Sequence, residues 1–397
     1  MAHGPGTPKL LRAMNDRAAL ELLIAEGPLT RTQIGGRTGL SKVTASQLLS
    51  RLEERGLVEV VGERASGRGP NAALYAVVPA SAYVAGLEIG PTDVTAGIAD
   101  ITGRIVSQVT VDPNTADDPV ALVHSAVAKA CRSAKVAVSR LNAFVIGSPG
   151  VVDPRTGDVE FAFDLPAWHD GVLGALRTDL RRPVVIENDV NLVAVAEQAY
   201  GAAAGADDFA LIWVDRGIGL AVMLGGRLHR GRSGGAGEIG YLPVPGVPLP
   251  EGVTDSMTWG TPALAGGFGS LIGADAVREL ALSHGFTEPT AVECVREAAV
   301  DEKRGGPFLD ELATRLSYGV AAVNIVLDPG LLVIAGELGR MGGTPLAQRV
   351  EQAVARICPT RPHVAVTEVE GNPVLRGALH AALVQAREDV FSSTTDT

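Results

Sequence analysis

The sequence predicts a winged helix-turn-helix head followed by an α/β body of two similar lobes. Three observations predict it. Residues 30–58 place helix caps, a turn and an apolar stripe at the spacing of two short helices and a strand. A glycine-rich loop between two strand-like runs follows at once. The remaining chain shows, twice, hairpin-joined strands that give way to strand–helix alternation.

In the head, Thr30 caps a helix running through Gly36, because a hydroxyl there accepts from N–H groups that a helix start leaves unpaired. Gly39 suits the turn, and Ser41 caps the next helix. Ala45, Leu48, Leu49 and Leu52 recur at i, i+3, i+4 and i+7 and form its buried stripe. Ser41, Lys42, Thr44, Gln47 and Arg51 remain at its start or on or near the opposite face. Such side chains suit base edges and phosphates, and a Gln amide pairs bidentately with adenine. Leu57–Val61 and Ala72–Val78 read as strands around the loop 62–71, which carries Arg64 and Arg68. An arginine on such a hairpin tip can enter the minor groove and sense its width and potential. The combination predicts binding to double-stranded operator DNA. The plain alternative is a helical hairpin with a solvated face and a surface turn.

Charge is divided along the chain. Of 397 residues with net charge −11, residues 1–78 hold 10 Lys and Arg against 7 Asp and Glu, a net +3. Residues 79–397 hold 24 against 38, a net −14, which restores the total. Phosphate contact therefore belongs to the head, and the acidic body is not expected to bind nucleic acid. Hydrophobic residues make up 46% and aromatic ones 4%, so the core is expected to be aliphatic. Cys131, Cys294 and Cys358 are far apart with no CxxC pair, which points away from a disulfide framework or a cysteine zinc site. There is no apolar run of membrane-spanning length, and the polar start MAHGPGTPKL is unlike a signal peptide. A cytoplasmic protein with no membrane partner is expected.

The body opens directly after Val77-Val78-Pro79, with no Gly/Ser linker, so the head should be held stiffly. Strands are expected at 83–89, 94–99 and 105–110, a helix near 117–135, then strands at 143–147 and 183–186 and a helix over 190–203. The second unit starts with strands at 209–214 and 219–224, the latter followed by the turn Gly225-Gly226. Helices near 262–284 and 308–327, a strand at 331–335, a helix at 344–357, a strand at 363–369 and a helix at 373–388 complete it.

The segments GLEIGPT (86–92), GSPG (147–150), ENDVN (187–191), GGAGEIGY (234–241) and IAGELG (334–339) together resemble the ROK family of repressors and sugar kinases, in its repressor branch. The resemblance spans roughly residues 10–390 and implies two lobes of the actin-like, RNase H-like sugar-kinase fold, assembled as a homodimer or homotetramer. It divides the chain into a head (1–79), one lobe (80–190 with 372–397) and a second lobe (191–371). It implies that Asp189 corresponds to the kinase base, a role a carboxylate can fill, and that Glu238 corresponds to a residue bonding sugar hydroxyls. Asn188 and Tyr241 adjoin them. Asp164, in FDLPAWHDG with Trp168, stands where the family usually has Asn. The plain alternatives are that Asp189 caps the following helix and that Glu238 pairs with Arg232.

Departures from the family are informative. The kinases' Asp-x-Gly-Gly-Thr phosphate loop is Glu88-Ile89-Gly90-Pro91-Thr92 here, and proline removes an N–H donor. The second loop, usually Gly-Thr-Gly, is Asp215-Arg216-Gly217, which sets a negative charge near phosphates. The family's zinc-motif His is Tyr241, and 242–260 contain no Cys. No kinase activity, metal or cofactor is expected. The favoured expectation is a repressor with an operator-binding head and a sugar effector between its lobes. Its rivals are a regulator with a vestigial cleft controlled by a protein partner, and an active sugar kinase.

Overall fold

The computed structural model describes residues 8–65, 71–90, 92–115, 118–161, 171–250 and 266–392. Arg68, Pro91, Asp164 and Trp168 lie outside the described residues.

The head comprises α1 (Pro8–Glu26), β1 (Leu29–Thr30), α2 (Arg31–Thr38), α3 (Lys42–Glu54), β2 (Val58–Arg64) and β3 (Ala72–Val77). Thr30 and Gln33 form a reciprocal capping box on α2, and Gly39 ends that helix at φ 71°, where a side chain would be strained. The Ser41 hydroxyl accepts from Thr44 N–H at the start of α3. Ala45, Leu48, Leu49 and Leu52 are buried, and β2 pairs antiparallel with β3 as the wing hairpin. α1 and β1 are additions to the elements read from the sequence. Leu20 and Leu23 of α1 cover the inner face of α3, and β1 gives β3 its second neighbour.

The first lobe contains β4 (Tyr83–Ile89), β5 (Val94–Asp100), β6 (Ile105–Val111), α4 (Pro119–Ala134), β7 (Leu141–Ser148), β8 (Val151–Val152), β9 (Val159–Phe161), α5 (Val172–Leu180) and β10 (Val184–Asn188), and α6 (Asp189–Tyr200) crosses the boundary expected at 190 and packs on the sheets of both lobes. The second contains β11 (Phe209–Val214), β12 (Ile218–Leu224), β13 (Arg227–Leu228), α7 (Gly269–Ile272), α8 (Ala274–Ser283), α9 (Ala291–Val300), α10 (Glu302–Leu327), β14 (Leu331–Ala335), α11 (Gly336–Val354) and β15 (His363–Val366). The closing helix α12 (Pro373–Ser392) packs on α6 and on the first lobe's sheet.

The two sheets have orders β10-β7-β4-β5-β6 and β13-β12-β11-β14-β15. Counted from the first strand of each lobe these orders are the same, so the duplication expected from the sequence is present. In each, an antiparallel meander is extended by two parallel strands. Among the described residues, the stretch read as one helix near 262–284 is α7 and α8, parted at Gly273, and α9 is an additional helix. Helix α11 starts at Gly336, well before position 344, and kinks at Gly343 (φ 54°). Periodicity starts counting only after Pro345, which is why the first turns were invisible to it.

Head and body share one continuous apolar cluster, which runs from Leu20, Leu23 and Leu48 to Ala382 and Phe391 of α12. The Arg55 guanidinium also donates to the Val390 carbonyl (3.1 Å). No helix among the described residues is long and apolar enough to cross a membrane.

Candidate nucleic-acid interface and ligand cleft

On α3, Ser41, Lys42 and Gln47 are exposed and Thr44 is half-buried, its hydroxyl held 2.9 Å from that of Ser41. Arg64 is exposed at the end of β2. Arg51 is placed differently from its sequence-predicted partners. Its guanidinium turns inward to Asp16 of α1 (2.6 Å), whose carboxylate is buried. Helical spacing put Arg51 near the outer face; a partner from a helix the sequence reading had not identified draws it to the flank.

The cleft is built from strand and helix ends. Asn188 ends β10 and caps α6, its Oδ1 accepting from Asn191 N–H, while its Nδ2 donates to the Gly150 carbonyl (3.0 Å). Asp189 is therefore relieved of the capping role, although its carboxylate accepts from Val190 N–H (2.8 Å). Glu187 accepts from Asn191 on one oxygen and pairs with Arg230 of the second lobe on the other (2.6 Å), so an ion pair joins the lobes at the cleft. Arg232 is exposed, and it is Arg230 that carries a carboxylate partner here.

The loop bearing Glu238 also touches both lobes. Gly234 (φ 86°) comes so close to Val152 that a Cβ would lie 2.0 Å from its carbonyl oxygen. Glu238 and Tyr241 line a concavity of about 500 Å3 with Leu220, Val222, Leu242 and Val326. Asn188 and Asp189 do not line that concavity, but Asp189 is the electrostatic neighbour of both Glu238 and Glu88. The Tyr241 hydroxyl is buried without a hydrogen-bond partner, and burial with the nearby Glu238 charge pushes it up to about 12.

The carboxyls of this region are held above the ordinary range. Burial pushes Asp189 up against the opposing pull of backbone N–H groups. Burial, then the Asp189 charge, raises Glu238. Burial raises Glu88; its Asn372 hydrogen bond opposes this, and the Asp93 and Asp189 charges add to it. An acid held above its ordinary pKa favours the protonated folded state, so that stability is lost as pH rises through the shifted value. Asp189→Asn is thus expected to raise the melting temperature at pH 7, with the gain shrinking as pH falls below the ordinary Asp range. A lower melting temperature at pH 7 contradicts the assignment.

Asn372 is a site residue that the sequence reading missed. Its Oδ1 caps α12 through Leu375 N–H (2.8 Å) while its Nδ2 donates to the Glu88 carboxylate. The signal was present: Asn before Pro373 is the pattern of a cap followed by proline at the first helical position.

A model of the ROK family matches residues 84–386. The chain belongs to the ROK family. A MarR-family model matches the head over residues 15–69. The ROK chain is 25% identical over 347 residues, 84% of its length and 82% of the relative's, to the DNA-binding transcriptional dual regulator NagC of Escherichia coli K12. It is 24% identical over 242 residues, 59% of its length and 61% of the relative's, to the xylose repressor of Bacillus subtilis 168. Among solved structures, a ROK family transcriptional regulator described as a homologue of the E. coli MLC protein superposes with a TM-score of 0.71 at 16% identity, covering 97% of this chain and 99% of that one, and so shares its fold.

The two loops that align with the kinases' phosphate loops are internally hydrogen-bonded in this ROK body. Gly90 N–H donates to the Asp93 carbonyl (2.8 Å) within the first loop. In the second, the Asp215 carboxylate accepts from the N–H groups of Arg216 and Glu337 at the start of α11. A helix N-terminus is where a phosphate would bind, and here a carboxylate takes its place with a second acid, Glu337, beside it. Burial first, then the Glu337 charge, pushes Asp215 up. The donor set does not fit a structural zinc either: Tyr241 stands at the family's His position, and 242–250 hold neither Cys nor His.

Proposed function

We propose that this chain is a transcriptional regulator that binds operator DNA through its winged head and a sugar or sugar derivative between its lobes, without phosphoryl transfer. The observation that carries the reading is the joining of an exposed polar recognition helix to a cleft with acidic groups where a kinase needs phosphate donors. Relatives named for N-acetylglucosamine and xylose support a sugar as effector class. The effector site comprises Asn188, Asp189 and Glu238, with Tyr241 at its edge and Asp164 as a further contributor. Lys42, Gln47 and Arg64 face a pseudo-palindromic operator bound by a homodimer or homotetramer in the cytoplasm, with Arg68 expected beside them from the sequence, while the Thr44 hydroxyl is held by Ser41. Ser41 orders the start of the recognition helix, and Arg51 contacts phosphate only if its Asp16 pairing leaves a donor outward.

Coupling between the sites runs along α12. Its cap, Asn372, holds Glu88 at the cleft, and its far end, Val390 and Phe391, meets the head. Twenty residues at about 1.5 Å each make a rod of about 30 Å. An effector that prefers one position of this helix changes operator affinity, and operator DNA changes effector affinity by the same factor.

The direct test selects operator fragments from a random DNA pool with the purified chain and then titrates sugars by calorimetry. Gln47→Ala is expected to cost about 1–3 kcal/mol on the selected site and to relax preference at one base pair. Asp189→Asn is expected to cost about 1.5–3 kcal/mol of sugar affinity, the value of a hydrogen bond to a charged group, with ligand-free operator affinity unchanged. Failure to enrich any DNA sequence overturns the regulator reading. Binding of no sugar favours the regulator whose cleft answers to a protein partner.

A coupled assay with ATP and glucose, xylose, N-acetylglucosamine or mannose is expected to match the enzyme-free blank. Turnover near the typical enzyme value of roughly 10 per second shows that the Asp215 and Glu337 acids do not exclude nucleotide.

A further inference from the structure

The head presents an apolar side chain where polar ones are expected. Val43, in the first turn of α3, is 67% exposed, between exposed Lys42 and half-buried Thr44. It lies four residues before Gln47 and therefore on the same face. The neighbouring polar groups turn aside: the Thr44 hydroxyl is held by Ser41, and Ser46 accepts from Arg31 of α2 (3.2 Å). What this face offers outward is Val43, Gln47 and Ser50, with Lys42 beside them at the helix start. The head meets the body elsewhere, through α1 and Arg55.

Valine is a poor choice for a solvated helix start. It loses rotamer freedom in a helix and leaves apolar surface in water. The apolar group that the edges of base pairs display in the major groove is the C5-methyl of thymine. Four residues of helix advance about 6 Å, and base pairs are stacked about 3.4 Å apart along each strand. We infer that Val43 is a specificity-determining residue that packs on a thymine methyl one or two base pairs from the base read by Gln47. This rests on the operator-binding reading of the head and adds to it a base identity that no polar side chain supplies.

The test uses the full-length chain and its selected operator. Each thymine is replaced in turn by deoxyuridine, which deletes only the methyl group and keeps every hydrogen-bonding edge. Wild type is expected to lose about fourfold in affinity at one thymine per half-site, the value of roughly one buried methylene. Val43→Ala is expected to lose the same factor on thymine DNA and nothing further on deoxyuridine DNA. The variant should fold, because the site is exposed and alanine is the better helix former; an unchanged or higher unfolding midpoint verifies this. Val43→Thr, which keeps one methyl of the branched shape, should fall between the two. A deoxyuridine penalty of equal size in wild type and Val43→Ala overturns the proposal, as does indifference of wild type to deoxyuridine at every thymine. Both results leave the operator reading standing. If no DNA sequence is enriched at all, the operator reading falls and this inference falls with it.

Discussion

Arg51→Met is expected to destabilise the head by about 3 kcal/mol, the lower end of the cost of breaking a buried pair. The Asp16 carboxylate is 3% exposed and its partner Arg51 35%. Methionine keeps the packing of the stem but leaves a negative charge in the head's interior without its 2.6 Å partner. The lower end applies because Arg51 is a third open to water and because Arg55 also feels the Asp16 charge. Hydrogen exchange of amides in α1 and α3 during urea titration measures the loss. The double change Asp16→Leu with Arg51→Met should recover most of it, since a well-packed apolar pair often replaces an ion pair without penalty. The double variant also decides what Arg51 does for DNA. If its operator affinity and salt dependence match wild type, Arg51 is purely structural. A salt slope reduced by about one unit restores it to the interface predicted from helical spacing. A wild-type unfolding midpoint for the single variant removes the pair from the account of stability.

Gly377→Ala is the second large effect, and its sign runs against helix propensity. In an open helix interior, alanine for glycine gains about 1 kcal/mol. At Gly377 a Cβ would lie 1.9 Å from the Leu192 carbonyl oxygen of α6, a backbone atom that no rotamer change can move. The two helices must separate, and overpacking of this kind costs up to about 3 kcal/mol or more. Gly174→Ala in α5 is the control: no atom lies within 4 Å of its added Cβ, so it should be neutral or stabilising. Because α12 runs from Asn372 at the cleft to Phe391 at the head, displacing it should also weaken the link between sugar and operator binding. Thermal unfolding of the two variants, with operator titration in the presence and absence of sugar, measures both. Equal melting temperatures for Gly377→Ala and wild type contradict the close packing of α12 on α6.

Much of this was legible in the sequence because the signals are local. A hydroxyl before an apolar stripe, Gly39 at a turn needing positive φ, and the short run of small and apolar residues at Val94–Asp100, buried throughout, each act within a few residues. Repeated twice, such signals give the paired lobes. The phosphate-loop departures at Asp215 and Glu88 were legible for the same reason: the identity of a residue in a short loop is also local information.

What the sequence could not determine depends on groups far apart in the chain. It marked Arg51 as outward-facing, but Asp16, 35 positions earlier, takes its guanidinium. It left Asp189 between capping and cleft, and the structure gives the cap to Asn188 and the neighbourhood of Glu88 and Glu238 to Asp189. It did not pair Glu187 with Arg230, or Glu88 with Asn372 at a separation of 284 residues. By itself the sequence determined most of the elements, though not α1, β1 or α9, together with the duplicated lobes, the winged head and the residue types at each loop. Only the tertiary structure decided which charges meet and which helix joins cleft to head, because desolvation and Coulomb energies depend on distances that folding alone creates.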